Sequence, residues 1–337
     1  MIYSKFLGVG SYVPPRVWTN QDLTSLMDTS DEWIQQRTGI KERHWVDQDS
    51  ATCTSDLALE ASVRALEAAN VKKEEIDLII LATLSPDHEF PGTGCFLQSK
   101  LDLPGIPALD IRQQCTGFIY GISIADQFLK SKQYKKVLVV GAEVHSKGLD
   151  KTTRGRDVTV LFGDGAGAVV MGAEEGAPDE KTSRLINTFL HADGRFAKEL
   201  WVPEPGLAHP GPRMAPERFD GREYPQMNGK TVFTYATKKM PEVLMESLSA
   251  AGKTLEDVDL FIFHQANLRI NEMVAKQLRI PEEKVYNTIS RFGNTTAATI
   301  PLGIDEAVKS GRLKKGMLVA SAAFGAGFTW ASALYRW

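Results

Sequence analysis

Two stretches of the chain repeat one order of polar and apolar positions. Residues 65–83 read ALEAANVKKEEIDLIILAT and residues 247–265 read SLSAAGKTLEDVDLFIFHQ. Each predicts the end of an amphipathic helix, a charged turn, and a short uninterrupted apolar run of the kind buried on both faces as a central strand. Leu66 matches Leu248, Glu74 matches Glu256, Asp77 matches Asp259 and Ile80 matches Ile262, all at an offset of 182. A second apolar strand, VLVVGAE at 137–143, matches MLVASAA at 317–323 with an offset of 180, and each copy runs into a Gly-rich turn and a further strand. A repeat of this length exceeds solenoid periods and predicts a tandem duplication of one α/β unit, with halves at 1–175 and 176–337. The Pro- and Gly-rich segment 202–228 interrupts the second half, and its composition excludes helix and central strand. It reads as a surface insertion, a flap over an entrance or a dimer-contact arm.

Apolar residues recur at helical spacing through Phe118, Ile119, Ile122, Ile124, Ala125 and Leu129, which places Cys115 at the start of a buried helix. The unpaired N–H groups and dipole of a helix start stabilise a thiolate, so this position predicts a lowered thiol pKa. The other role for a cysteine here is that of a small core residue. Adding 179 to Cys115 gives Asn294, in the polar turn RFGNTTAATIP, and subtracting 182 from His264 gives Ala82 at the end of the first apolar strand. Ligands of α/β folds gather outside the carboxyl ends of strands where two halves meet, so topology predicts that Cys115, His264 and Asn294 converge.

Composition narrows the class. With 337 residues, 43% hydrophobic and 24% charged, the chain has enough apolar material for large cores without disulfides or metals. Cys53, Cys95 and Cys115 form no CxxC pair and no zinc-like Cys/His spacing, which predicts neither a metal site nor a disulfide framework and points to a reducing, cytoplasmic compartment. A net charge of −3 argues against nucleic-acid binding, and no apolar run reaches the roughly 18 residues of a membrane span. LFGDGAGAVV at 161–170 has neither GxGxxG spacing into a helix nor the GK[ST] of a phosphate loop, so its glycines read as tight-turn and close-packing residues.

Cys, His and Asn serve two chemistries. In a cysteine hydrolase the His deprotonates the thiol and the Asn orients the His. Here His264 follows the apolar strand LFIF and Asn294 follows Gly293, so each presents a donor at a helix start. Two neutral donors aimed at one point suit a carbonyl oxygen that becomes an enolate, and therefore carbon–carbon bond formation.

The blocks TSDEWIQQRTGIKER at 29–43, QCTGFIYG at 114–121, LFGDGAGAVV, HADGR at 191–195, HQANLRI at 264–270, GNTTAATIP at 293–301 and FGAGFTWASALYRW at 324–337 span nearly the whole chain. Together they resemble β-ketoacyl-acyl-carrier-protein synthase III. The resemblance implies a thiolase-like fold, a duplicated αβαβα layered unit with two mixed sheets, and a homodimer. It implies that Cys115 takes an acyl group from acyl-CoA, and that His264 and Asn294 stabilise the enolate formed when malonyl-acyl-carrier protein loses carbon dioxide. The tetrahedral oxyanion would be held by the backbone N–H groups of Cys115 and Ala326. CoA enters as a thioester substrate and no resident cofactor is implied. Relatives in the same branch make alkylquinolones, polyketide starters or long-chain β-keto acids, and some lose the nucleophile to become non-catalytic partners, which the presence of all three residues argues against.

The resemblance assigns further roles. Trp33 would stack on the CoA adenine with Arg156 on its other face, Arg154 being the neighbouring contender, and Arg37 would reach a phosphate or base edge. Phe162 would line the acyl pocket, and Phe90 would cross the dimer to close the partner's. Arg269 and Lys276 would meet the acidic carrier protein, although Thr234 stands where the family commonly has a further Lys. The sequence also departs from the usual Gly-Gly-Gly turn with Gly325-Ala326-Gly327, and Ala331 replaces a usual Gly.

Overall fold

The computed structural model describes residues 1–337. Its first sheet is built from β1 (Ile2–Tyr12), β2 (Leu78–Ala82), β3 (Ala108–Ile111), β4 (Lys136–Glu143) and β5 (Gly165–Glu175), in the spatial order β1-β5-β4-β2-β3. Its second is built from β6 (Arg184–Ala192), β7 (Leu260–Phe261), β8 (Leu318–Gly325) and β9 (Thr329–Arg336), in the order β7-β8-β9-β6. The order is the same in both, with β6, β9, β8 and β7 taking the places of β1, β5, β4 and β2. A lone parallel bridge between Phe261 and Val285 stands where the second sheet would have its fifth strand. Both sheets are mixed: in the first, β2 pairs parallel with β3 and β4 whereas β5 runs antiparallel to β4 and β1, and in the second, β7 pairs parallel with β8 whereas β9 runs antiparallel to β8 and β6.

Strand alternation distributes each apolar run between two cores. Ile80, Val137 and Val139 face a central cluster with Ile119 and Ile122, while Ile79, Leu81, Leu138 and Val140 face an outer cluster with Leu57, Ala61 and Ala65. Each such side chain, fully buried, contributes about 1.5–3 kcal/mol. The helices that build the layers and border the site include α1 (Asp31–Thr38), α2 (Thr54–Ala69), α3 (Gly117–Lys130), α4 (Gly229–Ala250), α5 (Leu268–Leu278) and α6 (Thr299–Lys309). Residues of α3 and α6 fill the central core between the sheets, α2 covers the first sheet from outside, and α4 covers the second. The result is the layered αβαβα fold. No helix is long and apolar enough to cross a membrane.

The repeat register is 182 for both parallel strands, β2 with β7 and β4 with β8. Leu78 pairs with Val137 and Leu260 with Val319, while the Asp77 and Asp259 carboxylates accept the N–H groups of Lys136 and Leu318. The expected offset of 180 for the second strand is therefore corrected: VLVVGAE aligns with VASAAFG at 319–325. A two-residue slip preserves the inside–outside alternation of a strand, so the pattern of apolar residues alone does not distinguish the two registers.

The segment 202–228 contains a 3-10 turn at Pro216–Arg218 and a short antiparallel pair in which Gln226 and Met227 face Trp201 and Leu200. It is organised around the fully buried carboxylate of Glu204, which Arg218 meets at 3.2 Å and His209 at 3.1 Å. Burial works to raise the pKa of Glu204, but the hydrogen bond and charge of Arg218, with His209, hold it below the usual carboxylate range.

Candidate active site

Cys115 lies in a 3-10 turn, Gln114–Thr116, that leads directly into α3. Gln114 is held at φ 43°, and at the offset of 182 Thr296 repeats this with φ 47° in the 3-10 turn that leads into α6. Side chains with a Cβ pay roughly 1 kcal/mol or more for this region, so both halves carry the same strained approach to a helix. The residue equivalent to Cys115 is thus Ala297, and the expected match to Asn294, at 179, is corrected. Asn294 sits three residues earlier. It is clamped to the first half by its N–H donating to Leu161 O at 2.8 Å and by Gly163 N–H donating to its carbonyl at 3.1 Å.

Cys115, His264, Asn294 and Phe162 nevertheless line one cavity of about 490 Å³, whose wall also includes Trp33, Arg37, Phe233, Arg269 and Gly325. The backbone N–H groups of Cys115 and Ala326 point at the Cys115 sulfur. The Gly-Gly-Gly departure is harmless here: the left-handed conformation falls on Gly327, φ 135°, and not on Ala326. Gly325 carries the steric demand. A Cβ there would lie 2.6 Å from the Cys115 Cβ and 3.0 Å from its sulfur.

The expected lowering of the Cys115 pKa is overturned. Burial pushes the thiol up to about 12, the nearby Glu143 carboxylate adds to this, and the two N–H groups pull back only part of the way. The sequence shows the helix start but not that the sulfur is removed from water.

His264 extends the line of β7, with its N–H donating to Ala322 O at 2.9 Å. Its Nδ1 lies 2.7 Å from Thr299 Oγ1, whereas Nε2 is buried without a partner. Burial depresses its pKa to about 3, so the imidazole is neutral. Asn294 Oδ1 accepts the Thr296 N–H at 2.8 Å, which fixes the amide orientation and leaves its NH₂ group unspent. The arrangement therefore offers a buried thiol with two backbone N–H groups, and a neutral imidazole and an amide held by the opposite half.

At the mouth of the cavity, the Arg37 and Arg156 guanidinium carbons lie 4.4 and 4.7 Å from the centre of the Trp33 ring. A base sandwiched between two planes at van der Waals contact needs about 7 Å, so the expected adenine slot between Trp33 and Arg156 is closed in this structure and opens only if Arg156 swings away. Arg154 is turned elsewhere, donating to Asp150 at 2.7 Å. Arg269 and Lys276 are both exposed on α5, but only Arg269 borders the cavity. Phe90 is 82% exposed and lines no part of the cavity of its own chain.

Four further side chains, with no motif of their own in the sequence, support the site. His145 is buried, packs on Phe162 at 4.5 Å between ring centres, and lies 2.7 Å by Nε2 from Thr296 Oγ1. Thr296 and Thr299, inside the GNTTAATIP block, hold Asn294 and His264. Glu143, at the end of the VLVVGAE strand, is buried and receives hydrogen bonds from Leu84, Ser85, Thr83 and the Ala297 backbone. A charged residue closing an otherwise apolar strand was the available signal for it. LFGDGAGAVV is a turn into β5, with Asp164 buried and accepting the Val46 and Ser146 N–H groups at 2.8 and 2.9 Å.

The family described as 3-oxoacyl-[acyl-carrier-protein (ACP)] synthase III matches residues 109–194, and that described as its C-terminal part matches residues 248–337. The chain is 48% identical over 336 residues to the β-ketoacyl-[acyl-carrier-protein] synthase III of Xanthomonas euvesicatoria, covering 100% of this chain and 99% of the relative. The crystal structure of 3-oxoacyl-[acyl-carrier-protein] synthase III from Aquifex aeolicus superposes with a TM-score of 0.88 at 42% identity, covering 99% of this chain and 100% of that one. The synthase III structure from Thermus thermophilus gives 0.88 at 40% identity, covering 99% of both chains.

Proposed function

Because the chain belongs to the β-ketoacyl-[acyl-carrier-protein] synthase III family, a family of condensing acyltransferases that initiate fatty acid synthesis, we propose that its reaction runs through an acyl group carried on Cys115. The observation that carries the reading is that one cavity joins the Cys115 thiol, with two N–H groups at its sulfur, to the free Nε2 of His264 and the oriented amide of Asn294.

The Cys115 sulfur attacks the carbonyl of an acyl-CoA. The thiol proton leaves with the departing CoA sulfur, so acyl-Cys115 and free CoA thiol are produced and charge is conserved. The neutral thiol of the resting enzyme is consistent with a nucleophile that ionises only as it reacts. Negative charge on the tetrahedral oxygen is met by the Cys115 and Ala326 N–H groups, and losing one such donor costs about 10²–10³ in rate. Malonyl-acyl-carrier protein enters next. Its carboxylate leaves as carbon dioxide, the electron pair passes to the thioester enolate, and that oxygen is held by His264 Nε2 and the Asn294 NH₂. The enolate carbon then attacks acyl-Cys115, forming the new carbon–carbon bond and returning the cysteine sulfur as leaving group.

CoA is a substrate in this scheme and no bound cofactor takes part. Trp33, Arg37 and Arg156 would bind its nucleotide end, and Arg269 with Lys276 would receive the carrier protein. Phe90, projecting from its own chain, would reach the site of a second subunit.

Radiolabelled acyl-CoA tests the scheme. Label is expected on Cys115 in the parent, in His264→Ala and in Asn294→Ala, with decarboxylation lost in the last two. Label retained by Cys115→Ala would overturn the nucleophile assignment, and loss of acylation in His264→Ala would overturn the division of labour.

A further inference from the structure

We propose that the Thr299 hydroxyl selects the tautomer of His264, making it the residue that keeps Nε2 a hydrogen-bond donor. The inference rests on the proposed role of His264 at the enolate oxygen. A neutral imidazole carries one proton, on Nδ1 or on Nε2, and the hydrogen bond made by one nitrogen decides which. Only the Nε2–H form stabilises an enolate, so something must give Nδ1 a hydrogen.

Thr299 Oγ1 lies 2.7 Å from His264 Nδ1 and 3.0 Å from Thr296 O. Its one proton goes either to Thr296 O, with Oγ1 then accepting a hydrogen from Nδ1, or to Nδ1 itself. The direction is decided by where the other groups of the turn are spent. Thr296 O already receives the backbone N–H of Thr299 at the start of α6. Thr296 N–H is given to Asn294 Oδ1, and Thr296 Oγ1 is engaged with His145 Nε2 at 2.7 Å. The carbonyl is satisfied without the hydroxyl, and Nδ1 has no other neighbour that donates. The Thr299 proton is assigned to Nδ1, across the shorter contact and as the enolate role of His264 requires, in place of the longer bond to Thr296 O, which leaves the hydrogen of His264 on Nε2. That nitrogen has no partner of its own and His264 is 2% exposed, as expected of a donor kept for a substrate.

The same turn thus orients both groups held by the second half. Its Thr296 N–H sets the face of Asn294 and its Thr299 hydroxyl sets the proton of His264, with neither threonine touching the reacting atoms. Thr299 is a positioning residue.

The test uses the full-length enzyme labelled with ¹⁵N at histidine. Long-range ¹H–¹⁵N spectra distinguish the tautomers, and the six histidines permit assignment of His264 by loss of its signals in His264→Gln. The parent is expected to show His264 protonated at Nε2 with Nδ1 as acceptor. Thr299→Val, close in shape but without the hydroxyl, is expected to move the population toward Nδ1–H and to lower malonyl decarboxylation by at least about tenfold, toward the 10²–10³ lost when an oxyanion donor is removed. Acylation of Cys115 should stay within about twofold, and Thr299→Ser should restore both spectrum and rate. A parent spectrum with Nδ1–H, or a Thr299→Val enzyme with parental tautomer and decarboxylation, overturns the inference. Decarboxylation that survives in His264→Ala would instead overturn the enolate role, which separates the two failures.

Discussion

The carboxylate of Glu143 accepts the backbone N–H of Ala297, the residue that holds in the second half the position Cys115 holds in the first. At the offset of 182, Glu143 itself corresponds to Gly325, whose missing side chain makes room for the Cys115 sulfur. One half of the duplication thus fills with a carboxylate the space that the other half leaves beside its thiol.

Glu143 is expected to make stability depend on pH. Burial raises its pKa from 4.5 to about 7 despite its hydrogen bonds from Ser85, Leu84, Thr83 and Ala297. The folded state therefore binds the proton more tightly than the unfolded state, and this contribution is present below pH 4.5 and lost as pH rises through about 7. The full span is on the order of 3 kcal/mol. His145 and His264, both depressed from 6.5 to about 3, act oppositely and cost stability as pH falls below 6.5. Comparing Glu143→Gln with the parent isolates the carboxylate. The melting temperature of the variant relative to the parent should rise between pH 5 and 8, and a difference constant with pH would refute the assignment.

Gly325→Ala should silence the nucleophile without unfolding the chain. The added methyl would lie 2.6 Å from the Cys115 Cβ and 3.2 Å from its N–H, displacing both sulfur and donor. A misplacement approaching 1 Å costs about 10²-fold, so acylation measured by intact mass should slow by about that factor. Acylation at the parental rate would show that the turn yields freely.

The two neighbouring arginines should separate cleanly. Arg156→Ala should raise the KM for acyl-CoA about tenfold, equivalent to about 1.4 kcal/mol, because its guanidinium, unlike that of Arg154, lies over Trp33. Arg154→Ala should leave KM unchanged, since that side chain is held by Asp150. Steady-state kinetics with varied acyl-CoA decide it, and equal effects would remove the distinction.

Glu204→Ala should loosen the insertion. It would leave Arg218, Arg222 and His209 grouped around an uncharged site. Limited proteolysis is expected to cut within 205–222 at least about tenfold faster than in the parent, with the remainder of the chain resistant. Unchanged cleavage would mean that the segment does not depend on the buried carboxylate.

The sequence by itself determined the duplication and the layered α/β fold, and it predicted that Cys115, His264 and Asn294 share one cavity, because burial on both faces of central strands and the start of a helix leave marks in local residue order. Register was lost: a two-residue slip keeps a strand's alternation, and only the pairing of Leu260 with Val319 settled the offset. The state of the groups was lost too. Nothing near Cys115 in sequence announces Glu143, and nothing near His264 announces Thr299, 35 residues away. Protonation and pairing depend on burial and on partners distant in sequence, so the tertiary structure alone decided that the thiol is neutral and that His264 Nε2 is left free.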